Sequence, residues 1–377
     1  MAIYLTVLLA IFNQTALKGS KMLVALYAIE LGASPLAIGM LISMYAVFPV
    51  VLAVYAGRLS DRSGVRPLMV LGSLGMAAGL LLPVFLPSMA TLFVSSALIG
   101  MATLFFHVSV HNLVGSLGEA HERTGNFATF SLGASISGFA GPLLVGFAVD
   151  NLGYLPAYAA LAIVAAIPGV VLLRYARFIP PRVKAAPENR GGSVKDLLGS
   201  PALRRTYITG GLIITGIDLY NFYLPIYGRS IGLSATAIGI VLGMQAAAAF
   251  AVRLWMPRLA RRFSEQRVLT ASLIIAGVTY LGFPLVENAF LLGLISFVLG
   301  LGLGCGQPLS ILLTYNHAPA NRAGEALGLR LTVNKFTEIL VPIAFGSLGT
   351  AAGIFPVFWA NALLLLIGGY FSAEKRK

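Results

Sequence analysis

Ionisable and amide side chains recur at helical spacing inside stretches that are otherwise apolar. In the run that opens the chain, Gln14, Lys18 and Lys21 stand at i, i+4 and i+7, which puts them on one face of a helix. Asp218 follows Lys18 at a distance of 200 residues and shares its run with Tyr220, Asn221 and Tyr223. Towards the end of the chain Arg330, Asn334 and Glu338 recur every four residues, with Lys335 adjacent. A charge held in the middle of a bilayer costs roughly 2.5–3.5 kcal/mol on insertion scales. Each of these residues therefore calls for a reason, be it pairing, holding a charged solute, or carrying a proton. Four cations (Lys18, Lys21, Arg330, Lys335) stand against two anions (Asp218, Glu338). If Lys18 pairs with Asp218 and Lys335 with Glu338, positive charge is left over, and a pocket with surplus positive charge favours an anion or a carboxylate-bearing zwitterion. The plainer alternative is a set of structural ion pairs with Lys21 snorkelling outward.

Other polar residues carry weaker signals. His107 and His111 lie at i and i+4, with Asn112 next. A histidine titrating near pH 6.5 can relay protons, whereas a zinc site wants three or four ligands, and no cysteine or carboxylate run completes one. Gln245, and Gln307 with Ser310, are candidate hydrogen-bonding contacts; Arg253 reads as a gate or a lipid-headgroup contact. No Gly-x-x-x-x-Gly-Lys loop is present to bind ATP phosphates, and no catalytic constellation appears, so the sequence does not read as an enzyme.

The elements that hold these residues follow from composition. The 377-residue chain is 58% hydrophobic and 10% charged, with a mean hydropathy of +0.88. A soluble chain carries about 25% charged residues, so the solvent of this one is lipid. Apolar runs of the roughly 20 residues that a spanning helix needs recur twelve times, from 2–28 to 354–372. The fold class is an all-α membrane protein. The net charge of +13 resolves once the basic residues are located: 20 of the 26 fall in the even-numbered connections and the C-terminal tail, and only Arg229 falls in an odd-numbered one. This asymmetry is the positive-inside rule, with both termini cytoplasmic, and it argues for contact with membrane lipids rather than nucleic acid. The one cysteine, Cys305, precludes an intramolecular disulfide.

The chain also repeats itself. Gly32-Ala33-Ser34-Pro35-Leu36-Ala37-Ile38-Gly39 matches Gly232-Leu233-Ser234-Ala235-Thr236-Ala237-Ile238-Gly239 at a separation of 200, and Tyr27, Met44 and Arg58-Leu59 meet Tyr227, Met244 and Arg258-Leu259 at the same separation. A proline- and glycine-bearing connection separates the copies. The expected organisation is a six-helix bundle at 1–176, a cytoplasmic linker at 177–203 and a second six-helix bundle at 204–377.

Between the second and third spans lies Gly57-Arg58-Leu59-Ser60-Asp61-Arg62-Ser63-Gly64-Val65-Arg66. This stretch resembles the motif that secondary transporters of the major facilitator superfamily carry there, with Val65 as a departure where a basic residue is usual. The resemblance covers nearly the whole chain and implies twelve transmembrane helices in two pseudo-symmetric six-helix bundles. It further implies that Gly57, Asp61, Arg62 and Gly64 form a cytoplasmic latch, Asp61 facing the helix that begins near Glu325. The second copy, Pro257-Arg258-Leu259-Ala260-Arg261-Arg262-Phe263, has lost the glycine and the aspartate, so the latch is expected on one side only. In the fifth span Gly141-Pro142 and Gly146 are similar to part of the motif of facilitator antiporters, whereas Ser137 and Val145 stand where that motif has glycine.

The resemblance places the first, seventh and eleventh spans around a central cavity. The expected solute contacts are Gln14, Lys18, Lys21, Asp218, Asn221, Tyr223, Arg330 and Asn334 on those spans, with His107 and Gln307 added from the fourth and tenth. The implied activity is proton-coupled efflux of a small anionic or zwitterionic solute across a bacterial inner membrane by alternating access, without cofactor, by a monomer. Anion uptake or exchange is the alternative reading, and a solute sensor on a transporter scaffold a further one.

Overall fold

In lipid every backbone amide must find its partner within the chain, and a helix does this segment by segment. The computed structural model, which describes residues 2–117, 123–175, 194–319 and 322–373, is helical throughout its long elements. The first half comprises α1 (Ala2–Glu30), α2 (Pro35–Ser63), α3 (Val65–Phe85), α4 (Met89–Ser116), α5 (Arg123–Leu152) and α6 (Tyr154–Arg174). A short α7 (Val194–Gly199) precedes the second half: α8 (Pro201–Ser230), α9 (Ala235–Phe263), α10 (Glu265–Gly282), α11 (Ala289–Leu303), α12 (Gly306–His317), α13 (Ala323–Ala352) and α14 (Ile354–Ser372). Part of the expected linker is therefore helical, while residues 176–193 lie outside the described residues.

Among the described residues ten segments are long and apolar enough to cross a membrane, α11 and α12 counting together as Ala289–His317. The remaining two crossings, α8 and α13, are 30 residues long each. They carry Asp218 and the Arg330–Glu338 face, which makes them the more polar crossings. The tenth span, expected over 289–314, crosses as one segment but is interrupted at Gly304-Cys305 into α11 and α12. Gly304 and Gly306 flank the break, and glycine weakens a helix by about 1 kcal/mol relative to alanine.

The sequence repeat is also a repeat of backbone. Ser34 caps α2 through Ala37 N, and Ser234 caps α9 through Ala237 N, at 3.3 and 3.1 Å. Positive φ occurs at Gly32 and Gly232, at Gly153 and Gly353, and at Gly64 and Ser264, each pair 200 residues apart. The halves cross through α2 against α13 and α5 against α9, with α1 facing α8. Both outer crossings use the same device. A methyl group at Gly39 would overlap the Pro342 carbonyl, and one at Gly239 the Pro142 carbonyl. Close backbone approach is how helices gain packing energy in lipid, where apolar burial alone drives nothing.

Hydrogen bonds between the halves cluster towards the face that carries the α1–α2 and α8–α9 turns, called here the turn face. Leu36 N donates to Thr350 Oγ1 at 3.1 Å, and Ser43 Oγ to the Ile339 carbonyl at 2.8 Å. Ala235 N and Thr236 N donate to the two carboxylate oxygens of Asp150, at 3.0 and 2.7 Å. A carboxylate at the start of α9 meets the positive end of that helix. The turn face is closed.

Candidate functional site

Below the closed turn face lies a cavity of about 100 Å³ between α1, α5, α8, α9 and the end of α11. Its polar lining is Lys18, Lys21, Ser135, Asn221, Gln245 and Arg253. Three cations and no carboxylate line it among the described residues. The Gly141-Pro142 pair of α5 sets one wall: a methyl at Gly141 would strike the Thr15 carbonyl and the Lys18 Cβ. The glycine thus lets α5 press against α1 at the level of Lys18. Lys21 is held by an aromatic face, its Nζ lying 5.8 Å from the Tyr45 ring centre.

Arg253 joins the two halves at this cavity. Its Nη1 donates to Ser135 Oγ on α5 at 2.6 Å, and its Nε to the Gly304 carbonyl at 2.9 Å. That carbonyl lies at the helix break, so one guanidinium satisfies the interrupted backbone and crosses between halves. The side chain turns inward to these two partners rather than towards lipid headgroups. A cation two and a half turns from the basic end of α9 was the available signal, and the glycines of the break, far away in sequence, hid its partner.

The structure separates the other expected contacts into groups. Asp218 and Lys18 do not form the pair the sequence suggested: no carboxylate lies within ion-pair distance of Lys18 among the described residues. Asp218 Oδ2 is buried without a hydrogen-bond partner, in the field of Lys21, Glu338, Lys18 and Lys335. Lys335 and Glu338 do pair, with Nζ at 2.9 and 2.8 Å from the two oxygens. Asn221 bonds its own helix at Ile217 O and borders the cavity. Gln14 is half-buried one turn before Lys18.

Arg330 is 2% exposed and its partners are neutral: Ser310 Oγ at 3.0 Å and Gln307 Oε1 at 2.5 Å. Gln307 therefore serves Arg330 rather than the cavity, while Gln307 Nε2 and Asn334 Oδ1 remain buried and unpartnered. The His107 ring stacks on His111 at 6.0 Å, its Nε2 buried without a partner. Tyr223 is a correction. Its ring packs against Phe222 and Phe358 at 5.1 and 5.9 Å and is fully buried away from the cavity, so it belongs to the core of the turn face. Of the latch residues, Gly64 closes α2 at φ 83° and Arg62 is exposed in its last turn. The side chains at positions 57 and 61, like His121, lie outside the described residues.

Twelve crossings, a two-fold repeat and a charged cavity at the seam define a membrane transporter. The sequence profile of the Major Facilitator Superfamily matches residues 3–342, and the chain belongs to that family. It is similar to the multidrug resistance protein MdtG of Enterobacter lignolyticus, with 25% identity over 342 residues, 89% of this chain and 81% of the relative. The MdtG of Dickeya zeae is 24% identical over 340 residues, 89% and 83% of the two chains. Among solved structures, a POT family transporter in complex with 5-aminolevulinic acid superposes with a TM-score of 0.83 at 13% identity, over 98% of this chain and 94% of the other. A variant of the nucleoside transporter NupG gives a TM-score of 0.80 at 15% identity, over 98% of both chains. The chain is a multi-pass membrane transporter and not an enzyme.

Proposed function

We propose that the protein exports a small organic anion or zwitterion across the bacterial inner membrane by proton-coupled alternating access. The observation that carries this reading is the cavity lined by Lys18, Lys21 and Arg253 with no carboxylate. Cations held in a low-dielectric site attract a carboxylate or phosphate far more strongly than they would in water. Asp218, buried beside them with one oxygen unpartnered, is the candidate proton carrier. Taking up a proton removes the cost of a buried charge without a donor, and approach of the surrounding cations drives the proton off again. The positive-inside asymmetry supports a turn face on the outside with both chain ends in the cytoplasm. The closed turn face then corresponds to a state that loads from within. Residues 1–176 and 204–377 are the two rocking bodies, the intervening segment tethers them, and the Gly57–Gly64 stretch latches them on the inner side.

Direction rests on two supports: the Gly141-Pro142 crossing of α5 against α1, and the similarity to MdtG proteins named for multidrug resistance. In the cycle, solute entering from the cytoplasm competes with Ser135 for Arg253. Release of that link frees the halves to part at the outer crossings, and a proton taken up by Asp218 resets them.

Everted proteoliposomes test this. Accumulation of salicylate, with ethidium as the cationic control, is measured with and without an imposed proton gradient. The expected result is gradient-dependent accumulation of salicylate alone, lowered about ten-fold or more by Lys18→Gln and abolished in coupling by Asp218→Asn; ten-fold corresponds to about 1.4 kcal/mol, less than one charge-assisted hydrogen bond can supply. Equal transport of ethidium by the native protein overturns the anion assignment. Stimulation by internal anion, with no response to the proton gradient, would make it an exchanger instead.

A further inference from the structure

The repeat shows where the second half has emptied a space that the first half fills. Between α2, α3 and α4, Ala56, Leu68, Leu104 and Phe105 form a buried cluster closed by Leu52, Leu59 and Met101. Two hundred residues later, Val252, Leu259, Val268, Leu301 and Cys305 hold the positions of Leu52, Leu59, Leu68, Met101 and Phe105. These five line a groove of about 500 Å³ between α9, α10 and α11, and Phe263, Arg267, Ala271, Ser272 and Ile275 complete it. Where the first half places the Phe105 ring, the second has only the Cys305 thiol; Gly304 faces the solute cavity, and a methyl there would meet Val252 and Ala249. The volume of the groove falls in the range of small-molecule sites.

The groove opens towards lipid at the basic end of α9. Ile275, Leu301 and Phe263 on its walls are 42, 38 and 47% exposed, so the apolar surface is accessible from the bilayer. Arg267 lines the groove and Arg262 adjoins it over Phe263, while Arg258 and Arg261 stand on the same last turns of α9; all four are exposed. Two of them are braced on aromatic rings, Arg258 over Trp255 and Arg262 over Phe263, each at 5.3 Å. At the same end Asn316 Nδ2 donates to Glu265 Oε2 at 3.2 Å. No carboxylate lines the groove among the described residues. An apolar slot with a basic rim at the membrane surface has the chemistry of one ligand class, a phospholipid whose headgroup is anionic.

We propose that this groove is a binding site for an anionic phospholipid of the leaflet at the chain-end face, with an acyl chain against Cys305 and Leu301 and the phosphate at the rim of Arg262 and Arg267. The site is distinct from the solute cavity but backs onto it. Cys305 and Val252 wall the groove, while their neighbours Gly304 and Arg253 line the cavity. It stands independently of which solute the cavity carries.

The chain has two tryptophans, so Trp359→Phe leaves Trp255 as a reporter beside the groove. This variant is reconstituted into phosphatidylcholine vesicles containing graded amounts of phosphatidylglycerol or phosphatidylcholine with brominated acyl chains, and quenching is recorded. Phosphatidylglycerol is expected to reach half-maximal quenching at a mole fraction at least about five-fold lower than phosphatidylcholine, the ratio that one basic residue near an anionic surface supplies. Cys305→Phe, which restores the first-half residue, and Arg262→Gln/Arg267→Gln, which leaves the groove open, should each bring the two lipids within about two-fold. If Cys305→Phe does not yield folded protein, the surface arginine variant decides alone. Excess inorganic phosphate should leave the quenching unchanged. Equal quenching by the two lipids in the native groove, a preference that survives in either folded variant, or displacement by inorganic phosphate would overturn the proposal.

Discussion

The two halves share a backbone and divide the chemistry between them. At a spacing of 200 residues they keep the same serine caps, the same positive-φ turns and the same glycine-under-proline crossings. At that spacing they also set Lys18 against Asp218, Asp150 against Thr350 and Phe105 against Cys305. The shared features are those that set the course of the backbone, and at the crossings backbone touches backbone. A change there is resisted because a carbonyl cannot move aside as a side chain can. The divergent positions differ in what their side chains meet, as where Asp150 accepts two amides and Thr350 one, and there each half has its own contacts. A device present in both halves should therefore be equally sensitive in both, and a device present in one should fail in that half alone.

The glycine crossings offer the largest break. Gly239→Leu puts a branched side chain against the Pro142 carbonyl, and Gly39→Leu does the same at Pro342. Overpacking of a tight contact costs about 3 kcal/mol, which shifts the closed turn face by roughly 100-fold. Both variants should lose transport to a similar extent, and distances between spin labels across the turn face, read in a Cys305→Ser background, should lengthen. Loss in only one variant would show that the crossings are not equivalent.

The interhalf caps should be unequal. Asp150 accepts two amides at the start of α9, and Thr350 accepts one at the start of α2. Asp150→Ala is expected to destabilise the closed turn face by about 1.5 kcal/mol, the lower end for a charged acceptor because the site is exposed. Thr350→Val should cost about 0.5 kcal/mol, at the lower bound for loss of a capping hydroxyl. Labelling rates of a cysteine introduced on the turn face measure both. Salt should reduce the first effect and leave the second alone.

Much of this is legible in the residues alone. The twelve runs, the 200-residue register and the surplus of cations over anions in the membrane all follow from spacing and charge. What escapes the sequence depends on distance in space. Lys18 and Asp218 share a repeat position, yet the helices that carry them do not bring the charges into contact, so the expected pair is absent. Arg253 reaches Ser135, 118 positions away, and no local pattern announces that. Tyr223 sits among polar neighbours in sequence but its ring faces Phe358 from another helix. The break in the tenth span is hidden because glycine is frequent in these helices and single glycines rarely interrupt them. Only the comparison with Leu104-Phe105-Phe106, where α4 runs on without a break, shows what Gly304-Cys305-Gly306 has given up.

The smallest effect is the sharpest test of the comparison, because it asks what happens when a backbone is kept and its residue is not. Gly64 ends α2 at φ 83°, ψ 164°, and Ser264 ends α9 at φ 71°, ψ 150°. That region belongs to glycine, and a side chain held there stores about 1–3 kcal/mol. Ser264 recovers part of it by accepting from Arg267 N at 3.4 Å. Ser264→Gly should therefore gain only about 1 kcal/mol and raise the apparent Tm by about 2 °C. The reverse exchange is not symmetric. In the first half the residue three places on is Pro67, which has no N–H to donate. A serine introduced by Gly64→Ser would meet the same strain without the bond, so its cost should exceed the gain from Ser264→Gly. Thermal unfolding of the two variants, followed side by side in one detergent, measures the difference; equal and opposite shifts would mean that the Ser264 cap contributes nothing.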